Sequence, residues 1–416
     1  MAKDNKEFFK AKTQWSKIKD QLLGCYLVPY FQKVLMTGRP IFYVDCFAGK
    51  GKFEDGNPGS PLIALQARNS CLERTNLRNS RSKIDVCFIE LNHAEDLNRN
   101  ISEFQNAHGC PSVISGRYEE KIEDVLSPQK GANVFLYIDP YGIQALDSGL
   151  FDKFDTYGFQ SLEMLINFNS FGFFRDACRV MGASYIEDEA LRDLDDLVEY
   201  DPATVSSSKQ SEDLLCRIAG GDYWKDIVLS YRNNEINGYK AEKRLSTEYK
   251  ERLKKRYSYV LDMPIRLKSG SRPKYRMIHV CNHAEGCFLM AENMQKRKDE
   301  LFTNIQQKQQ GSLLNLIPSM ASTVENEFIT ADDIKFLVKN LIAEIEDEIS
   351  ITKFLAIFVN KNGLLCEFKM IYTILEELSN SGLISISRKP SHTEGGKASI
   401  FWLEKKDRQV ILRRLR

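Results

Sequence analysis

Three short clusters in the 416-residue chain place carboxylates and aromatics where they could do chemistry. The first is Asp45 at the end of an apolar run, followed by Cys46-Phe47-Ala48-Gly49-Lys50-Gly51. Glycines at 49 and 51 let a ligand approach the backbone amides closely, and Phe47 and Ala48 complete the same turn. The loop lacks both the Gly-x-Gly-x-x-Gly of dinucleotide enzymes and the Gly-Lys-Ser/Thr of a phosphate-binding loop, since Phe53 follows Lys52. The second cluster is Glu90, which ends the next apolar run, where a carboxylate can accept hydrogen bonds from both hydroxyls of a ribose or cap the helix that follows. In the third, Asp139-Pro140-Tyr141, the Asp can accept a hydrogen bond from an exocyclic amine while the Tyr stacks on a flat ring; a plain Asp-Pro turn is the alternative.

The elements that must hold these residues alternate in type. Thr13 to Leu35 has apolar residues at helical spacing, interrupted at Pro29, and predicts one or two helices. Strand-like runs follow at Ile41 to Asp45, Ile84 to Glu90, Pro111 to Ser115, Val134 to Asp139 and Leu162 to Phe168. Ser60 and Pro61 open a helix between the first two. Alternation of this kind predicts a parallel sheet with helices on both faces. Tyr257 to Leu267 and Lys274 to Cys281 then form a hairpin, so the expected fold is α/β, with the parallel strands and late hairpin of a Rossmann-like class I methyltransferase sheet; other doubly wound enzymes share that order. A helical insertion is expected at about 171–255 within a first domain of 1–314. In a second domain, 315–416, two helices flank Lys361-Asn362-Gly363, and strands at Leu383 to Ser387 and Ala398 to Leu403 surround a Gly-Gly-Lys loop, the winged-helix pattern.

Composition excludes some classes. The chain is 43% hydrophobic and 28% charged, with a formal net charge of +1, and no apolar run is long enough to span a bilayer. It carries no secretory-type apolar leader, and its ten cysteines are scattered without paired spacing, so reduced thiols and a cytoplasmic location are expected. Cys281, His283 and Cys287 match no common zinc spacing, and no metal is expected. The five histidines form no triad-like arrangement. Charge is uneven: 185–201 is acidic, 240–276 holds 13 Lys or Arg against 4 Asp or Glu, and 381–416 holds nine against three. Both basic stretches suit nucleic acid, and both also suit ordinary solvated faces.

The pieces Tyr43 to Gly51, Gly59-Ser60-Pro61-Leu62, Phe88-Ile89-Glu90 and Ile138 to Gly142, with the region Tyr275 to Met290, resemble the three-Cys-motif partner proteins (TcmP), bacterial proteins with a methyltransferase-like fold. The resemblance covers roughly residues 10–305. It implies S-adenosylmethionine as ligand, with Asp45, Gly49 and Gly51 near its amino-acid part and Glu90 on its ribose. Asp139-Pro140-Tyr141 is similar to the Asp-Pro-Pro-Tyr signature of amino-methylating nucleic-acid methyltransferases, without its second proline. The expected function is methyl transfer to a base amino group, DNA preferred to RNA, with Asp139, Pro140 and Tyr141 at the reacting group. The alternative is a ligand-binding but non-catalytic partner or specificity subunit of a companion enzyme; a small-molecule methyltransferase would leave the C-terminal unit without a purpose.

Overall fold

The computed structural model describes residues 12, 14–76, 83–104, 109–140, 142–184, 209–266, 273–310 and 329–415. Its centre is a 7-stranded sheet in the order β3-β2-β1-β4-β5-β7-β6. The strands are β1 (Ile41–Asp45), β2 (Ile84–Glu90), β3 (Ser112–Ser115), β4 (Asn133–Ile138), β5 (Ser161–Phe168), β6 (Tyr259–Ile265) and β7 (Tyr275–Cys281). The first five are mutually parallel, and β7 runs antiparallel to both β5 and β6. The α/β expectation therefore holds at the level of a mostly parallel sheet closed by a hairpin. The turn 268–273 expected within that hairpin lies almost wholly outside the described residues.

Every residue of β1 and β4 is buried, as strands covered on both faces must be. The period of two divides them between two cores: Ile41, Tyr43, Phe135 and Tyr137 join one, and Phe42, Val44, Val134, Leu136 and Ile138 the other. The first core is covered by α1 (Gln14–Leu35) and α2 (Ser60–Asn76). Pro29 lies inside α1, so the expected interruption does not divide the helix. Helices α3 (Ala94–Ile101) and α4 (Tyr118–Leu126) follow β2 and β3, and α5 (Ser148–Phe154) precedes β5.

The second core is completed by the expected helical insertion: α6 (Ser170–Val180), α7 (Lys209–Ala219), α8 (Trp224–Arg232) and α9 (Gly238–Lys254). Tyr249 of α9 stacks on Phe168 at the end of β5, rings parallel and 4.4 Å apart. The acidic run 185–201 lies outside the described residues. Many cations of the basic stretch are engaged internally. Arg276 donates to both Glu242 oxygens at 2.7 and 2.8 Å and to Asp262 at 2.6 Å, Lys250 pairs with Asp262, and Arg252 pairs with Asp152. Lys240, Lys243, Arg244, Lys255 and Arg256 remain exposed.

α10 (Ala284–Gln310) leads toward the expected boundary near 315, which falls outside the described residues. The C-terminal unit comprises α11 (Ala331–Ala343), β8 (Glu348–Ser350), α12 (Ile351–Asn362), α13 (Phe368–Asn380), β9 (Ile384–Lys389) and β10 (Gln409–Arg414). Its three strands form an antiparallel sheet in the order β8-β10-β9. α11 is closed at its start by a reciprocal capping box between Thr330 and Asp333. The strand expected at Ala398 to Leu403 is instead irregular apart from one bridge, Ala398 to His392, and the partner of β9 is β10. The aromatic run that suggested a strand is spent on packing: Trp402 stacks on Tyr372 at 4.7 Å, and Arg408 covers the Phe401 ring at 5.3 Å.

The C-terminal unit packs directly on the larger one. Phe288 and Phe368 stack at 5.1 Å, and Asn360 closes the amide of Val260 and the carbonyl of Ser258 at 2.9 and 3.1 Å. Among the described residues, no helix is long and apolar enough to cross a membrane.

Candidate functional site at the carboxyl ends of β1, β2 and β4

Strand order reverses about β1, which has β2 on one side and β4 on the other; open α/β sheets bind ligands in the crevice at such a point. The structure brings Asp45, the loop Phe47 to Gly51, Glu90, Asp139 and Pro140 to that edge, while Tyr141 lies outside the described residues. The loop turns because Gly49 and Gly51 adopt φ of +61° and +76°, where a side chain is disfavoured. Gly51 is further confined, since a Cβ there would lie 2.8 Å from Leu97 Cδ1. Gly51→Ala is therefore expected to destabilise the fold by about 1–3 kcal/mol, read from the urea midpoint. An unchanged midpoint would show that the loop relaxes freely.

Asp45 is fully buried, and its Oδ1 accepts the amide of Phe47 at 3.2 Å while Oδ2 has no hydrogen-bond partner. Burial is the main reason its carboxyl is raised to about 7; the Ser60 hydroxyl and the Phe47 amide oppose the shift, and the charges of Asp139 and Asp20 add to it. A buried carboxylate with an open oxygen beside a glycine turn suits an ammonium donor from a ligand.

Glu90 holds the loop from the other side. Its Oε2 accepts the Gly49 amide at 2.8 Å, and its Oε1 accepts those of Asn92 and His93 at 2.9 and 3.1 Å, just ahead of α3. Glu90 thus clamps the glycine turn to the short turn that leads into the next helix. A carboxylate offers about four acceptor positions, so one remains for a ligand hydroxyl. The Phe47 ring packs against Tyr118 of α4 at 5.2 Å, and Ala48 is tied to β2 through the Ile89 carbonyl at 3.1 Å.

Asp139 is held by groups that motif reading passed over. Lys19 of α1 places Nζ 2.8 Å from both carboxylate oxygens, Tyr137 donates to Oδ2 at 3.1 Å, and Asn167 of β5 donates to Oδ1 at 2.7 Å. The readable signal for Lys19 was a lysine in the apolar stripe formed with Leu22, Leu23 and Tyr26 of its helix. Asn167 is a polar interruption near the end of an apolar strand. Its Oδ1, like the Oγ of fully buried Ser170, has no hydrogen-bond partner, so three orphaned polar atoms, with that of Asp45, lie on β1, β5 and the start of α6. One turn of α1 also carries Asp20, raised to about 6 chiefly by burial, which pairs with Lys12. Lys12 in turn donates to the Pro58 carbonyl at 2.7 Å and lies over the Phe53 ring.

The other chemistry-bearing residues lie elsewhere. Cys281 and Cys287 are buried core thiols directed at the carbonyls of His283 and Ala356. His279, fully buried, pairs with Glu163 at 3.0 Å, and Glu163 also accepts from the Tyr26 hydroxyl. No family model matches the chain, and no curated protein matches it in sequence.

Proposed function

We propose that the chain binds S-adenosylmethionine at the β1/β4 crevice and transfers its methyl group to an amino group of a nucleic-acid base. The observation that carries this reading is the pairing of a glycine turn at positive φ with a buried carboxylate, Asp45, whose Oδ2 makes no hydrogen bond by geometry. The strand order, with β7 antiparallel between β5 and β6, is that of class I methyltransferase sheets. Asp45 and the loop amides would hold the amino-acid part, and the remaining acceptor of Glu90 a ribose hydroxyl. The sulfonium supplies the electrophile, and the protein's contribution is to orient the accepting amine at Asp139 and exclude water.

The C-terminal order helix, strand, helix, helix and two further strands is that of a winged helix. Exposed cations cluster on the segment joining the last two strands and at its edges, at Lys389, Lys397, Lys405, Lys406 and Arg408, with others at Lys339, Lys353, Lys361 and Lys369 on the helices. The exposed side of α13, the second helix of the pair, carries Glu376 and Glu377 against Lys369, with Glu367 exposed at its N-cap. Phosphate contact is therefore assigned to the wing and to the exposed cations of α9.

Transfer of labelled methyl from S-adenosylmethionine to DNA and RNA pools tests the reading. Wild type is expected to label nucleic acid, and Asp139→Asn to lose at least about a hundredfold in rate while still binding the cofactor. Equal labelling by the variant would remove Asp139 from the reaction.

The second reading, a ligand-binding partner subunit, is favoured by the acidic side of α13, which opposes docking of that helix on a duplex. A salt titration separates the two: an affinity for DNA that falls steeply with salt supports phosphate contact, and no binding at low salt supports a protein partner.

A further inference from the structure

We infer that Lys19 is a placeholder for the substrate's amino group, and that an acceptor engages Asp139 only when the Lys19 ammonium gives way. The inference rests on the methyl-transfer reading and follows from counting acceptor positions. A carboxylate has about four lone-pair positions. Asp139 receives four contacts: Lys19 Nζ on each oxygen at 2.8 Å, Tyr137 on Oδ2 at 3.1 Å and Asn167 on Oδ1 at 2.7 Å. Tyr137 and Asn167 belong to sheet strands and are fixed by the fold. Lys19 reaches in from α1 on a flexible four-carbon stem, its ammonium 5.4 Å from the centre of the Tyr275 ring. It is thus the contact that can leave without disturbing the sheet.

An amine donating to Asp139 and the ammonium of Lys19 compete for the same oxygens. Lys19 neutralises Asp139 in the absence of substrate, so that no bare carboxylate is left half-buried; the two side chains are 11% and 20% exposed. The exchange also sets specificity: a substrate must bring its own hydrogen-bond donor to replace the one it displaces.

Two cofactor analogues test this by binding alone. S-adenosylhomocysteine ends at a neutral sulfur, whereas sinefungin carries an amine on a carbon that replaces the methylsulfonium, and so presents a donor toward the acceptor's position. Calorimetry with both analogues would compare wild type with Lys19→Met, Lys19→Arg and Lys12→Met, the last as a control for general removal of a positive charge, after thermal melts confirm that each is folded. Lys19→Met is expected to favour sinefungin over S-adenosylhomocysteine by about tenfold or more relative to wild type, the scale of one charge-assisted hydrogen bond. Lys19→Arg should stay near the wild-type ratio, and Lys12→Met should move it by less than about threefold. A ratio unchanged by Lys19→Met, or moved equally by Lys12→Met, would overturn the placeholder role. Failure of wild type to bind either analogue would instead take down the cofactor reading, and the inference with it.

Discussion

Arg276→Met is expected to destabilise the protein by about 3–5 kcal/mol, because it leaves two buried carboxylates without their common partner. Glu242 is wholly buried and loses both of its guanidinium hydrogen bonds, while that from Ser246 at 2.9 Å stays in place. Asp262, whose carboxyl is held well below the usual range by Lys250 and Arg276 in spite of its burial, keeps only Lys250. The effect reaches three elements at once, since the network joins α9, β6 and β7 at the hairpin edge of the sheet. Lys335→Met, which breaks the exposed pair with Glu377 between α11 and α13, should leave the unfolding midpoint almost unchanged, because water screens that pair. Denaturant unfolding of both variants gives the comparison. Similar midpoints for the two would show that the buried network contributes no more than a surface pair.

Asp45→Asn is expected to move stability and binding in opposite directions. The aspartate is raised from an ordinary value of 3.8 to about 7 in the folded protein. The folded state therefore holds a proton that the unfolded chain has released, and stability falls as pH rises from near 4 through 7. At pH 8 the ionised carboxylate disfavours folding by an amount on the order of 2–4 kcal/mol, part of which the neutral amide should recover. A ligand ammonium selects the ionised form, so affinity should rise with pH up to about 7 and then level. Asp45→Asn should flatten the pH dependence of the melting temperature above pH 5 and weaken S-adenosylmethionine by at least about a hundredfold. A variant that binds as tightly as wild type would show that Asp45 is a structural acid.

The strands that end in Asp45 and Glu90, and the one leading to Asp139, were readable because β-branched and aromatic runs stop at a carboxylate, followed by a glycine turn after Asp45, by Asn92 and His93 after Glu90, and by Pro140 after Asp139. The same local signal misled at Ala398 to Leu403, where Phe401 and Trp402 have strand propensity but find their partners in Arg408 and Tyr372. Register in a short antiparallel sheet is decided by the alternation of the strand that pairs, and β10 supplies it with Val410 and Leu412 inward. Lys19 and Asn167 escaped notice for a different reason: their roles arise from residues 120 and 28 positions away from Asp139, and tertiary structure alone brings them together. Of the dense basic stretch, Arg252 finds its carboxylate 100 positions away, in Asp152 of α5, so local charge overstated the surface available to a polyanion.

Calorimetric titration of S-adenosylmethionine into the purified protein at pH 6 and pH 8 tests the central claim most directly, with the Gly49→Asp, Glu90→Ala double variant as control. The cofactor reading predicts one micromolar site in the wild type, tighter at pH 8 than at pH 6 and lost in the folded double variant. Absence of binding at both pH values by folded wild-type protein, or binding that the double variant keeps, would contradict it.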